Sequence, residues 1–271
     1  MRLILWLAVA LSLPVQQPAA PVTPAAGAPA DSRIWIGHYA EYEEFLKTAE
    51  IDHLNNPKVG VTGGTRHAYF KPGGLAAEGA MRTLKPGRYD GYFESYKSEV
   101  AAYKLDRILE LNQVPPTVER TYMGQGVSMQ LWTTNVRMLK DIQEQKIAFP
   151  VSLEFSRQLG RQRVYDDLVA NIDENATNLM FDAQWNIIKV DCSRCFTNVM
   201  TLPFEIGKQA NRIDRPFFER IKALTRDQLR KEIGDFVEGG AIDAMLARRD
   251  DIVKKFEKLA KEKGEALVIL P

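Results

Sequence analysis

Asp173, Asn178 and Asp191 are the side chains in this chain whose types and spacing suit phosphoryl transfer. That chemistry needs a carboxylate to accept a hydroxyl proton, and an amide oxygen with a second carboxylate to hold Mg²⁺. Asp173 and Asn178 form a D-x-x-x-x-N unit, and Asp191 closes the hydrophobic run Ile187-Ile-Lys-Val190. The unit alone is common, and with a following hairpin and Asp it is much rarer. The plainer alternative is an ordinary β-hairpin with polar ends, Asp173 capping a turn and Asp191 ending a strand.

Positioning such a trio requires particular elements. Asn178–Phe181 and Asn186–Val190 read as two strands around a polar turn at Asp182–Trp185, which would return Asp191 beside Asn178. Ser152–Ala170 reads as a helix with Val164, Tyr165 and Leu168 inward, feeding directly into Asp173. Upstream, Asp31–Ile51 holds a helix with Tyr42, Phe45 and Leu46 on one side. Lys58–Lys71 reads as strand, glycine turn, strand, and the turn contains Gly63 and Gly64, whose backbone N–H groups suit phosphate approach. A plain hairpin turn explains those glycines equally well. Gly79–Leu84 is a third strand; Thr117–Tyr122 and Val127–Trp132 flank Gly124-Gln-Gly126 as a second hairpin. Between them Ser95 caps a helix running to Leu111, with Glu99 in its first turns and Pro115-Pro116 beyond its end. From Val136 onward helices dominate: one opened by Arg215-Pro216, one by a capping box at Thr225, and a long amphipathic one over Ala241–Lys261 after a break at Gly239-Gly240. The expected fold is α+β and two-lobed, with a small antiparallel sheet and one helix over residues 31–134 and a larger helical lobe over 135–271. Asp173, Asn178 and Asp191 would face the cleft between the lobes.

Composition narrows the function classes. The 36 Lys and Arg against 35 Asp and Glu give a net charge of +1, so nothing argues for nucleic acid as a partner. Residues 1–30 combine Arg2, the apolar run Leu3–Leu13, an Ala/Pro-rich tract and Ala28-Pro29-Ala30, the pattern of a signal peptide and spacer. The run falls short of the ~20 residues of a membrane span, so an exported mature chain without a span, and a monomer, is expected. The two cysteines form Cys192-Ser-Arg-Cys195, and the three histidines lie far upstream, which argues against a structural zinc site. They read as small buried residues or a local disulfide after Asp191; a thiol-redox role is a weaker reading, since no thioredoxin-like βαβ pattern surrounds them.

Ser98 to Val118, with Glu99-Val-Ala-Ala and Leu105-Asp-Arg ahead of Val114-Pro-Pro116, resembles the E-x-A-A-x-x-L-D-R-x-L-x-x-x-x-V-P-P run of secretory-pathway atypical kinases of the Golgi casein-kinase and four-jointed type. Leu168 to Asn178 is similar to their L-x-x-N-x-D-R-x-x-x-N loop, Val190 to Phe196 stands where I-D-H-S-R-A-F or its like occurs, and Ala244–Val253 also fits. The resemblance spans about residues 55–265 and extends to uncharacterised bacterial relatives. It implies a kinase using ATP with Mg²⁺ or Mn²⁺, Asp173 as catalytic residue, Asn178 and Asp191 on the metal, and Glu99 paired with a strand lysine. Two departures stand out. Arg82 occupies the lysine position, with Lys85 and Lys71 as possible substitutes, and Glu174 stands where Arg is usual. Because Arg and Lys differ in donor geometry, a pseudokinase that binds nucleotide or a partner is the alternative function. Arg82→Lys is expected to keep or raise nucleotide affinity. The acceptor, a protein or a glycan, is not legible. Asn175-Ala-Thr177 is a glycosylation sequon inside the loop, which favours a bacterial periplasmic or extracellular protein over one exposed to eukaryotic glycosylation.

Overall fold

The computed structural model describes residues 32–55, 64–173, 175–202 and 210–271. The leader expected at residues 1–30, the strand expected from Lys58, Gly63 and Glu174 lie outside these.

In chain order the first lobe has α1 (Tyr39–Thr48), β1 (Ile51–Asn55), β2 (Thr65–Phe70), β3 (Glu78–Arg82), the hairpin β4 (Gly87–Tyr89) and β5 (Tyr92–Glu94), α2 (Tyr96–Leu109), β6 (Thr117–Tyr122) and β7 (Gln125–Leu131). Five strands make one antiparallel sheet in the order β1-β2-β3-β7-β6. Alternation buries Ala68, Phe70, Met81, Val127 and Met129 under Trp35, Tyr42 and Leu46. Ser95 caps α2 as expected, its hydroxyl accepting from Lys97 N–H at 3.0 Å. At the other end Glu110 takes a left-handed conformation and ends the helix. Asp106, fully buried, accepts the backbone N–H groups of Asn112, Gln113 and Val114 at 3.2, 2.9 and 3.0 Å, which folds the chain back toward Pro115-Pro116.

The second lobe follows with β8 (Arg137–Met138), α3 (Leu139–Glu144), α4 (Leu153–Val169), β9 (Leu179–Phe181), β10 (Ile187–Lys189), β11 (Ile213–Asp214), α5 (Arg215–Ala223), α6 (Arg226–Ile233), α7 (Gly239–Lys263), α8 (Glu265–Val268) and β12 (Ile269–Leu270). Strands β9 and β10 pair antiparallel, Leu179 opposite Lys189, and β8 joins their edge. The core of this lobe gathers Val164, Tyr165 and Leu168 from α4, Phe217 and Ile221 from α5, Leu229 from α6, and Ile242, Met245, Ile252 and Phe256 from α7. Ala101, Leu105 and Leu109 of α2 belong to that same cluster, so α2 serves both lobes.

Three local expectations differ from the structure. Ile51–Asn55 is a strand, paired with β2, where the end of a helix was expected. The β4–β5 hairpin had no anticipated counterpart; Asp90 and Gly91 at its tip both take positive φ, the requirement of a tight two-residue turn. Gly239-Gly240 forms the first turn of α7, where backbone N–H groups have no helical partner and glycine costs little. No helix among the described residues is long and apolar enough to cross a membrane.

Candidate active site

β3 delivers Arg82 to the floor of the sheet, and α2 brings Glu99 beneath it: Arg82 Nε lies 3.0 Å from Glu99 Oε1. The β9–β10 hairpin returns the chain so that Val190 N–H donates to the Asn178 carbonyl at 3.0 Å, and Asp191 follows. Asp191 adopts φ 60°, a left-handed conformation unusual for a residue with a side chain, and turns the chain out of the strand. Its Oδ2 lies 2.7 Å from Arg82 Nη2. Its Oδ1 accepts from the Ser193 hydroxyl at 3.0 Å, and that hydroxyl accepts from Arg82 Nη1 at 3.2 Å. One guanidinium thus meets two carboxylates and a serine.

Burial pushes the Glu99 carboxyl up to about 7, against the pull of the Arg82 charge and the Cys192 N–H. Asp191 feels burial as well, but Arg82 and Ser193 outweigh it and hold its carboxyl below the usual carboxylate range. Burial also works against the Arg82 charge, yet Asp191 and Glu99 more than offset it and its pKa rises. At neutral pH the cluster therefore keeps Arg82 charged and Asp191 ionised.

The loop Cys192–Cys195 holds this arrangement. Its cysteines are disulfide-bonded, the second of the two open readings. Cys192 N–H donates to Glu99 Oε2 at 3.0 Å, the Ser193 carbonyl accepts from Ser95 N–H at 3.0 Å, and Phe196 N–H donates to the Val169 carbonyl at 2.7 Å. Arg194 donates through Nε and Nη2 to Glu94 Oε1 at 3.0 and 2.8 Å, while its Nη1 lies 3.2 Å from Asp173 Oδ2. From the other side, Asp173 N–H donates to Asn171 Oδ1 at 3.2 Å, and Asn171 donates to the buried Asp166 at 3.1 Å. Asp166 is also ion-paired with buried Lys189. Asn178 Nδ2 reaches back to the Asp173 carbonyl at 3.4 Å.

Between sheet and hairpin lies a cavity of about 220 Å³. Ala80, Arg82 and Ser128 roof it, Trp132 and Thr133 close one end, and Asn178, Met180, Val190 and Asp191 floor it. A larger cavity of about 700 Å³ opens elsewhere, between β5, the start of α2 and the α6–α7 turn, with Ile172 on its wall. Gly64 lies beside β3 at φ +94°, and a Cβ there would stand 2.6 Å from Leu84 Cγ, so a side chain at this position would be strained and would displace Leu84. Its carbonyl accepts from Thr83 N–H at 3.0 Å.

Of the lysines weighed as substitutes for Arg82, neither is brought to the cluster. Lys71 lies past the far end of β2 and pairs with Glu50 at 2.6 Å, and Lys85 is solvent-exposed three residues beyond Arg82. Three participants carried no assigned role from sequence: Ser193, Arg194 and Arg248. Arg248, fully buried on α7, donates to the Leu168 carbonyl at 3.0 Å and to those of Thr197 and Val199, tying α7 to both approaches to the site.

A divalent cation is the group this family resemblance implies, and the donors fit one. Asn178 Oδ1, which accepts from the Thr177 hydroxyl at 3.3 Å, and the ionised Asp191 carboxylate face one cavity. Both are oxygen donors, as Mg²⁺ and Mn²⁺ prefer. Among the described residues no group of three His, Cys, Asp or Glu could hold a metal by itself. Such a site needs oxygens from a bound phosphate, which is how Mg²⁺ usually sits beside nucleotides.

No family model matches the chain, and no curated protein matches it. Solved structures do. The chain aligns with the Golgi casein kinase at 14% identity and a TM-score of 0.61, covering 84% of this chain and 77% of that one. The same kinase with Mn/ADP bound aligns with a TM-score of 0.63 at 14% identity, over 85% and 78% of the two chains. Hydra Fam20 with sugar aligns at 17% identity and a TM-score of 0.63, over 86% and 92%. The chain therefore has the two-lobed, protein-kinase-like fold of the Golgi casein kinase and hydra Fam20 structures.

Proposed function

We propose that the protein is an atypical kinase that transfers the γ-phosphate of ATP to a hydroxyl of a protein or sugar acceptor, using Mg²⁺ or Mn²⁺. The observation that carries this reading is the convergence of Arg82, Glu99, Asn178 and Asp191 on one cavity between the lobes. Mn/ADP bound to the structurally similar Golgi casein kinase supports nucleotide and metal in this reading.

In this reading the cavity between Ala80 and Met180 takes the nucleobase, and Gly64 lets the backbone approach the phosphates. Arg82, oriented by Glu99, presents its guanidinium to phosphate oxygens. Asn178 and Asp191 hold the metal, which when bound neutralises charge developing on the phosphates. Asp173 accepts the acceptor's proton; its carboxylate is kept in orientation by Arg194 on one side and the Asn171–Asp166 pair on the other. The retained acid–amide–acid set favours activity over a nucleotide-binding pseudokinase. Lys71 and Lys85 have no part in it. The disulfide at Cys192–Cys195 is compatible with an oxidising, extracytoplasmic compartment.

The test is unfolding of the purified protein with ATP or ADP, with Mg²⁺, Mn²⁺ or chelator. A ligand that binds only the folded state stabilises by RT ln(1 + [L]/Kd), ~2.7 kcal/mol at ~100 Kd. A metal-dependent upward shift is expected, along with phosphate transfer from labelled ATP to casein or a glycan. No shift with any nucleotide overturns the reading.

A further inference from the structure

We propose that Arg82 is a three-way clamp requiring a guanidinium, so that lysine, the residue expected at this position, cannot replace it. This reverses the expectation that Arg82→Lys keeps or raises nucleotide affinity. The clamp stands on geometry alone; only its phosphate-binding half rests on the kinase reading.

The three nitrogens of Arg82 face three different protein groups from three segments. Nε lies 3.0 Å from Glu99 Oε1 on α2, Nη2 lies 2.7 Å from Asp191 Oδ2, and Nη1 donates to Ser193 Oγ at 3.2 Å. The Ser193 hydroxyl in turn donates to Asp191 Oδ1 at 3.0 Å, which closes a ring of Arg82, Asp191 and Ser193. The Glu99 contact is an ion pair whose N–H is not aimed at the oxygen, since Glu99 Oε1 receives no aligned hydrogen bond. The side chains of Arg82 and Glu99 are only 9% and 7% exposed, so water replaces few of these contacts if they are lost.

A guanidinium carries five N–H donors spread over three nitrogens in one plane. With Nε facing Glu99 as an ion pair and one N–H of each Nη engaged with Asp191 and Ser193, one N–H remains on each Nη, on a side chain that lines the cavity. An ammonium has three N–H groups on a single atom. It can approach Glu99 or Asp191 closely, but it cannot sit within contact distance of both carboxylates and Ser193 and still have a donor for phosphate. Leaving one buried carboxylate without its counter-charge is the costly outcome. Ser193 gives Nη1 its partner and orients Asp191.

The experiment uses two independent readouts on the full chain. The first is a nucleotide-free stability cycle of wild type, Arg82→Lys, Ser193→Ala and the double variant by urea unfolding. A clamp predicts that Ser193→Ala raises the unfolding constant about fivefold in the Arg82 background, and less than about twofold with lysine present, because the shared contact is already gone. Equal effects in both backgrounds overturn the clamp. Adding Glu99→Gln to Arg82→Lys should restore stability, since one ammonium then has one carboxylate to serve. If Arg82→Lys alone does not fold, this rescue decides: a double variant that stays unfolded while Glu99→Gln folds overturns the clamp. The second readout is ATP affinity by calorimetry, in chelator and in Mg²⁺. Arg82→Lys should raise Kd about tenfold or more in both, the loss of roughly one charge-assisted hydrogen bond; unchanged affinity overturns the phosphate half. If wild type itself binds no nucleotide, the kinase reading fails while the stability cycle still decides the clamp.

Discussion

Asp173 and Asp191 are carboxylates on two different cavities that share Asn178, and their surroundings assign them different tasks. Asp191 faces Arg82 and is held ionised, while Asp173 touches Arg194 at its rim. Asp191→Asn should therefore abolish metal-dependent nucleotide binding. Asp173→Asn should leave binding intact and reduce turnover by roughly 10²–10⁴, the usual contribution of a positioned base. Calorimetry and labelled-phosphate transfer on the two variants separate these outcomes; an Asp191→Asn protein that binds Mg²⁺-ATP like wild type would refute the assignment. The spacing of Asp173, Asn178 and Asp191 was legible because each falls at a fixed point around one hairpin, and Arg82 opposite Glu99 because strand and helix were both legible. Ser193 and Arg194 were visible only as letters in a motif. Their partners Arg82 on β3 and Glu94 on β5 lie about a hundred residues away, and no local periodicity reports such contacts.

Asp106 carries a second residue-scale prediction, remote from the cleft. Burial pushes its carboxyl up to about 7, with the Gln113, Val114 and Asn112 N–H groups and Arg107 pulling the other way. The folded protein then holds a proton that the unfolded chain has released between pH ~3.9 and ~7, so this group's contribution falls as pH rises through that window. The slope is at most ~1.4 kcal/mol per pH unit for one proton. Asp106→Asn should flatten the stability profile between pH 5 and 7 relative to wild type, although both proteins retain the same-signed titration of Glu99, whose carboxyl burial also raises to about 7. Parallel profiles for the two proteins would rule out Asp106 as the source.

Among the elements, those with strong punctuation were legible and those without were not. α2, α4 and α6 start at serine or threonine caps whose hydroxyls accept from the second or third helical N–H. β4, β5 and β8 have only two or three residues each, too few for an alternation to register. The Cys192–Cys195 loop is the element that joins the lobes' functional groups, and its disulfide closes a ring of only four residues. Loop-closure entropy for so short a ring is about 2 kcal/mol. The Cys192→Ser/Cys195→Ser protein should thus lose about 1–2 kcal/mol in urea unfolding and bind nucleotide more weakly, because the same loop orients Ser193 and receives Glu99. Intact-mass measurement should show wild type gaining the mass of two hydrogen atoms on reduction after denaturation. An absence of that gain, or a double variant as stable as wild type, would remove the loop from this role.

At the scale of the whole molecule, the two lobes share structure that makes independent unfolding difficult. α2 packs Tyr96 and Val100 within the sheet lobe's reach, through its contacts with β6 and β7, and gives Ala101, Leu105 and Leu109 to the helical core. Ile188 of the hairpin enters the sheet-lobe core in exchange. Arg82–Asp191 and Arg194–Glu94 span the same junction. A chain of this size often unfolds through intermediates, but here removing either lobe would expose the apolar face of α2 and strand the buried charges of the cluster. Residues 32–271 should accordingly unfold in one transition. Trp35 is buried in the sheet-lobe core and Trp185 packs against the hairpin cluster, so fluorescence senses both sides of the junction. Its midpoint in urea should coincide with that of far-ultraviolet circular dichroism. Leu105→Ala, which hollows α2 at its contact with the helical core, should lower that common midpoint by about 2–5 kcal/mol of stability without splitting it. Two separated midpoints in wild type, or a variant that melts only one probe early, would mean that the lobes are held by the linker and not by α2.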